Sequence, residues 1–252
     1  LELGGVRILT DPVLRGRVGH LRRLVALEGS AATAAGRPDC VLVSHLHLDH
    51  FDPASLRTLD RRVTVLVPRG PAVAALRRRG FTAVQGVAEG SAARVGPVTV
   101  RAVPARHAGS RGLPWFRGPA LGYVVEGPAS VYFAGDTDIF PEMANLAGAD
   151  VALLPVAGWG PRLPEGEHMD PLRAAESLAL LRPRVAIPIH WGTLAPLWTR
   201  HGYGPPGAAA AAFRRFAAEL APEVDVRVLR PGETFALPRI IRRDDDGSTS
   251  DP

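Results

Sequence analysis

Ser44-His45-Leu46-His47-Leu48-Asp49-His50 follows directly on the apolar run Val41-Leu42-Val43. In extended chain successive side chains alternate in direction, so His45 and His47 point the same way and can grip one cation together. Where the chain then turns, Asp49 and His50 are offered to a second cation beside the first. Neutral imidazole nitrogens and a carboxylate oxygen suit Zn²⁺, Fe or Mn²⁺. A histidine-rich surface loop without a metal is the bland alternative. So dense a cluster immediately after a buried strand argues against it.

Working outward, 6–9 reads as a short strand ending at Thr10-Asp11-Pro12, and 21–27 as a helical turn. A helix over 53–59 is expected to start on Asp52 as N-cap, with Pro53 at the first helical position. A strand over 63–67 and a helix over 71–79 stopped by Gly80 come next. Short β-type segments at 82–84, 98–103, 121–125 and 131–134 lead to a buried strand at 151–154. Pro171–Leu181 is a strongly amphipathic helix capped by Asp170; it is followed by a strand over 185–189 that ends at His190. An Ala-rich helix over 208–220 and a strand over 224–229 complete the order. Strands interspersed with helices in both halves fit an α+β domain, with two β-sheets each covered by helices. One domain is expected over 1–240, and the polar segment 241–252 reads as a disordered tail. The chain opens at Leu1 without Met, as if part-way into a strand, so the N-terminal strand is expected to be truncated.

Composition excludes some classes. No apolar run reaches the roughly 18 residues of a membrane span. Cys40 is the only cysteine, so no intrachain disulfide can form, and a cytoplasmic setting is expected. The net charge of +5 is basic, but all 30 Lys+Arg residues are Arg, spread along the chain. That is a compositional bias rather than a nucleic-acid footprint. Cys40 reads as an inert core residue. His20 and His201 have no partner pattern. Trp115, Trp159 and Trp191 sit near the motif positions, where they would either pack in the core or wall a pocket. Arg106, Arg111 and Arg117 flank His107 and are candidates for holding an anion, although solvated loop arginines are commoner.

His-Leu-His-Leu-Asp-His resembles the His-x-His-x-Asp-His signature of the metallo-β-lactamase superfamily. The later landmarks stand in the expected order: His107 after Pro104-Ala105-Arg106, Asp136 in Ala134-Gly135-Asp136-Thr137, and His190 in Pro188-Ile189-His190-Trp191-Gly192-Thr193. The resemblance spans nearly the whole chain. It implies an αββα sandwich of two mixed sheets flanked by helices, holding two divalent metal ions, Zn first with Mn or Fe as alternatives. It further implies that His45, His47 and His107 bind one metal, that Asp49, His50 and His190 bind the other, and that Asp136 bridges them.

A narrower resemblance is carried by Gly5-Val6-Arg7-Ile8-Leu9-Thr10-Asp11-Pro12, by Gly166-Glu167-His168-Met169-Asp170-Pro171 and by the Pro-x-His-Trp-Gly-Thr ending. These are similar to the branch holding L-ascorbate-6-phosphate lactonase and N-acylphosphatidylethanolamine phospholipase D. That branch implies a metal-activated hydroxide attacking a lactone, ester or phosphodiester, and a small-molecule or lipid-like substrate. Asp49, Asp136 and His168 are then the expected catalytic groups, with His168 acting on substrate or leaving group. Two rival readings keep the fold: a nuclease acting on RNA or DNA, whose binding would fall steeply with salt, and a di-iron redox protein, for which no electron-delivering module is visible.

Overall fold

The computed structural model describes residues 1–25, 36–107, 118–157, 166–199, 204–205 and 207–238. One sheet has five strands: β1 (Glu2–Leu3), β2 (Val6–Thr10), β5 (Cys40–Leu42), β6 (Thr64–Pro68) and β7 (Val84–Val87), in that spatial order. Its β1–β2 hairpin is antiparallel and the rest is parallel. The second sheet has seven: β8 (Ala92–Val95), β9 (Val98–Pro104), β10 (Leu121–Glu126), β11 (Ser130–Phe133), β12 (Val151–Pro155), β13 (Val185–Ile189) and β15 (Asp225–Val226). Strands β8 to β11 form an antiparallel meander; β11, β12, β13 and β15 are parallel.

Period-two alternation sorts each strand's residues between two cores. Cys40 and Leu42 of β5 face the inter-sheet core, together with Tyr123, Val125, Val151 and Leu153 of the second sheet. Val41 and Val43 face the other way, under Leu56 of helix α1 (Pro53–Leu56) and Leu76 of helix α2 (Pro71–Arg78). On the far side, Ala152 and Leu154 pack under Met143 of a 3-10 helix (Pro141–Leu146), Leu178 of helix α3 (Pro171–Leu181) and Phe213 of helix α4 (Ala208–Leu220). The layers are thus helix, sheet, sheet, helix, the metallo-β-lactamase fold. Strand β12 is buried at every position, as a central strand covered on both faces must be.

The expected caps are present. Asp52 accepts from Ala54 N and Ser55 N, and Asp170 accepts from Arg173 N at 2.8 Å. Four elements differ from expectation, the first being the helix expected over 53–59, which spans only Pro53–Leu56. Leu21–Arg23 is a strand, β4, not a helical turn; it pairs with β3 (Arg17–Val18) and with β14 (Leu194–Pro196) in a small third sheet. One partner, β3, is a two-residue strand just before it and the other, β14, lies far off in sequence, so no local periodicity announces the sheet. The strand expected at 82–84 begins only at Val84, since it pairs with β6 from Val65 onward. The strand expected over 224–229 shrinks to Asp225–Val226, where its pairing with β13 ends. The expected tail 241–252 lies outside the described residues.

Candidate metal centre

Strands β11, β12 and β13 run parallel, and β9 shares their direction because it is antiparallel to β10, which is antiparallel to β11. Their carboxyl ends therefore open on one edge of the sheet. From that edge come His107 after β9, Asp136 after β11 and His190 after β13. The other sheet supplies Asp11 after β2 and the His45–His50 turn after β5, also from carboxyl ends of parallel strands. Two close approaches lock the edges together. Tyr123 Oη donates to Val43 O at 2.8 Å, and Leu121 N donates to Ser44 O at 2.9 Å.

All seven ligand candidates converge. His45 Nε2 lies 2.8 Å from His47 Nδ1, and His107 Nε2 lies 3.1 Å from the same atom. Donors around a tetrahedral cation at 2.0–2.1 Å sit roughly 3.3 Å apart, so a slight opening admits the ion. Asp49, His50 and His190 form a second triad, with His190 Nε2 3.7 Å and His50 Nε2 3.5 Å from Asp49 Oδ2. Asp136 stands between the triads. Its Oδ2 is 3.2 Å from His50 Nε2 and 3.9 Å from His45 Nε2, and its Oδ1 is 3.4 Å from His190 Nε2. His168 joins them, with Nδ1 3.6 Å from Asp136 Oδ2.

The unpaired atoms test whether cations fit. Both carboxylate oxygens of Asp136, Nε2 of His50 and Nδ1 of His168 are buried without a hydrogen-bond partner. A buried carboxylate left so would cost several kcal/mol. A divalent cation in each triad would use these lone pairs, and the donor set, imidazoles with two carboxylates, is the one such cations take.

The other ring nitrogens are held from behind. His50 Nδ1 meets Asp11 Oδ2 at 2.7 Å, His107 Nδ1 meets Glu167 O at 2.8 Å, and His190 Nδ1 meets Ala157 O at 2.6 Å. His45 Nδ1 meets Ser44 Oγ at 3.0 Å, and that hydroxyl donates to Asp11 Oδ2 at 2.6 Å. Each bond places a proton on Nδ1 and so makes Nε2 the nitrogen that each of these rings turns to the centre. Asp11 therefore orients one histidine of each triad. In the sequence alone Asp11 carries no assigned role. Its signal was a carboxylate at a strand end beside the strand that feeds the histidine turn.

Electrostatics divide the centre. Burial lowers His47 to about 4, helped by neighbouring His107, and lowers His45 well below the imidazole range. Burial likewise takes His168 to about 4. Burial also opposes charge on His190 and His50, but there the aspartates win. Asp136 and Asp49 hold His190 at about 9; Asp136, Asp49 and Asp11 hold His50 well above its usual range. Burial opposes charge on Asp49 and Asp136 too, yet the facing histidines keep both well below the usual carboxylate range.

Backbone strain concentrates here. Asp11 (φ 41°) and His190 (φ 58°) adopt the left-handed region without being glycine. Gly135 (φ 62°) passes so close to Ser44 that a Cβ would lie 2.6 Å from Ser44 Cβ.

Other candidates fall away from the centre. Arg106 reaches Glu142 at 3.6 Å and lies over the Phe140 ring. Trp191 donates to Pro188 O and packs on the core. Cys40 is fully buried, which pushes its thiol to about 12 and leaves it inert. Trp115, Trp159, Arg111, Arg117 and His201 lie outside the described residues.

The model of the Beta-lactamase superfamily domain matches residues 6–191, which takes in the whole set from Asp11 to His190. A UPF0173 metal-dependent hydrolase of Rubrobacter xylanophilus is 34% identical over 239 residues, 91% of this chain and 88% of that protein. The chain belongs to the UPF0173 metal-dependent hydrolase family. A second UPF0173 metal-dependent hydrolase, from Methanopyrus kandleri, is 31% identical over 93% of this chain and 94% of its own. Among solved structures, the metallo hydrolase Igni18 of Ignicoccus hospitalis is 26% identical, with a TM-score of 0.69 over 94% of each chain. No helix among the described residues of this UPF0173 chain is long and apolar enough to cross a membrane.

Proposed function

We propose that this UPF0173 hydrolase works with two divalent cations and cleaves a lactone, a carboxylic ester or a phosphodiester of a small-molecule or lipid-like substrate. The observation that carries the reading is Asp136, a buried carboxylate with neither oxygen hydrogen-bonded, set between two histidine-containing triads. His45, His47 and His107 would hold one cation, and Asp49, His50 and His190 the other, with Asp136 shared. Zn²⁺ suits the donors, and Mn²⁺ or Fe fit the same set. Such a pair supplies an activated water and polarisation of the substrate oxygen.

The chain's own residues do the rest. Asp11, Ser44 and the carbonyls of Ala157 and Glu167 keep each imidazole's Nε2 turned to the centre before any cation arrives. His168 is neutral at pH 7, because burial lowers it to about 4. It can therefore accept a proton from, or hydrogen-bond to, a group reaching Asp136, and it is not a resident acid. Leu48, between two ligand candidates, is 38% exposed, and Gly19 at the β3–β4 turn packs on it. The adjoining His20 stacks on Trp198, which is 69% exposed. This apolar shoulder favours a substrate with a hydrocarbon or aromatic portion.

The test is metal content by mass spectrometry, paired with hydrolysis of bis(p-nitrophenyl) phosphate and of a simple lactone after Zn²⁺ or Mn²⁺ loading. Two cations per chain and metal-dependent turnover are expected, with the better substrate naming the class. Asp136→Ala should lose two-cation loading and turnover together; wild-type turnover in that variant would sink the reading.

A further inference from the structure

Behind the metal centre, a second buried aspartate does work that the ligand set does not explain. Asp138 is 1% exposed, two residues after Asp136. Its carboxylate is fully engaged. Oδ1 accepts from Ile139 N at 2.8 Å and from Arg173 Nε at 2.7 Å; Oδ2 accepts from Gly166 N at 2.7 Å and from Arg173 Nη2 at 2.8 Å. This is a two-pronged Arg–carboxylate pair, the geometry that fixes orientation best. Hydrogen bonding to Asp138 also raises the Arg173 guanidinium above its ordinary value.

Three segments of the centre meet at this pair. The His107 segment is tied in by its neighbour: Arg106 N donates to Thr137 Oγ1 at 2.9 Å, and Asp138 N donates to Arg106 O at 2.9 Å. The His168 segment is held at both ends, by Gly166 N on Asp138 and by Met169 N on Thr137 O at 3.0 Å. Helix α3 is fastened twice through one residue. The Arg173 N–H sits on the Asp170 cap, and its guanidinium sits on Asp138. Between Gly166 and Met169 lie the two groups that matter: the Glu167 carbonyl, which takes the Nδ1 proton of His107, and His168 itself.

We infer that the Asp138–Arg173 pair is a positioning device that holds the Glu167 carbonyl and His168 against the first triad, and so sets the tautomer of His107. The second triad is anchored elsewhere. His50 rests on Asp11 and His190 on Ala157 O. Loss of the pair therefore acts on one triad and spares the other. General packing damage would affect both. The metal-binding part of this inference rests on the two-cation reading above, whereas the tautomer part does not.

The variants are Arg173→Gln, which removes the charge and the fork, and Arg173→Lys, which keeps the charge alone. Arg173 is 39% exposed in its side chain, so it can be replaced without opening the core. Leu172→Ala, 40% exposed on the same turn, serves as control. Two readouts apply to the full chain. In metal-free protein, ¹⁵N correlation spectra of the imidazoles should show His107 protonated at Nδ1 in wild type and shifted toward the Nε2 proton in Arg173→Gln. In Co²⁺ titrations, affinity at the first triad should fall about 10–100-fold, the usual cost of losing a partner behind a metal-bound histidine. The second triad should keep its affinity, Arg173→Lys should show the same pattern with a smaller loss, and Leu172→Ala should match wild type. An unchanged His107 tautomer, or equal weakening at both triads, would overturn the inference. A wild type that takes up fewer than two Co²⁺ ions would instead count against the two-cation reading, leaving the tautomer result to decide this one.

Discussion

Gly135 gives the most direct test of how tightly the two sheets close on the metal centre. It precedes Asp136, has φ 62°, and an added Cβ would lie 2.6 Å from Ser44 Cβ and 3.2 Å from Leu121 O. Carbon atoms in good contact stand about 3.5–4.0 Å apart, so Gly135→Ala overlaps Ser44 by roughly 1 Å. The left-handed backbone costs an L-residue about 1–2 kcal/mol, and overpacking a close-packed site adds about 1–3 kcal/mol. The sum is about 2–5 kcal/mol. Gly148 separates the two contributions: it also has positive φ, 87°, but a Cβ there meets nothing within 4 Å. Gly148→Ala should therefore carry the backbone cost alone. Urea unfolding of both variants measures the difference. Since Ser44 bears on Asp11 and His45, Gly135→Ala should also weaken metal uptake, whereas Gly148→Ala should not. Equal destabilisation by the two substitutions would refute the close-approach argument.

The two triads should load with different pH dependence. A cation entering the second triad must displace a proton from His190 at any pH below about 9, and one from His50, which is also held above its usual range, so its affinity should fall at least about 100-fold from pH 9 to pH 7. The first triad, with His47 at about 4, should hold its cation almost unchanged over that range; Co²⁺ absorption against pH reads both, and parallel curves would contradict the division. His168→Gln should keep two cations and lower kcat by about 10²–10⁴-fold, as loss of a proton-transfer group does; unchanged kcat in steady-state assays would remove His168 from the chemistry. Tyr132 Oη is buried without a hydrogen-bond partner, so Tyr132→Phe should stabilise by about 1 kcal/mol and raise the melting temperature by about 2–4 °C. A marked loss of stability would show that the hydroxyl has a water partner.

The parts of this molecule that were legible in sequence are those whose cause is local. Helices α3 and α4 carry their own amphipathic period, and α3 carries its cap as well, so their bounds could be read directly. The His45–His50 cluster could be read because one strand and one turn bring four donors together. The small third sheet could not, since Leu21–Arg23 is its central strand and one of its two partners, Leu194–Pro196, comes far later in the chain. The same holds for Asp11, Asp138 and Arg173. Each looks like an ordinary polar residue at a strand end or on a helix, and its role is created by a partner brought near by the fold. Arg106 shows the converse. Its neighbour in sequence is the ligand candidate His107, but its guanidinium is turned to Glu142 and Phe140.

Both triads span the sandwich. The first takes His45 and His47 from the five-stranded sheet and His107 from the seven-stranded one; the second takes Asp49 and His50 from the former and His190 from the latter. A cation in either triad is therefore a cross-link between sheets, bound only when they are docked, and it stabilises the docked state by mass action, about 2.7 kcal/mol at a hundredfold excess over Kd. The apolar residues between the sheets already hold them together at depth. At the open edge, where strands end and loops begin, that apolar contact gives way to Asp11, Asp49 and Asp136, whose charges repel. The facing histidines offset part of this, which is why His50 and His190 are held protonated. Two cations would replace those protons with larger positive charge at the same place. With cations bound, closure of the edge and assembly of the centre would be one event, and the residues behind the ligand candidates, Asp11 on one side and Asp138 on the other, would keep the donors aimed.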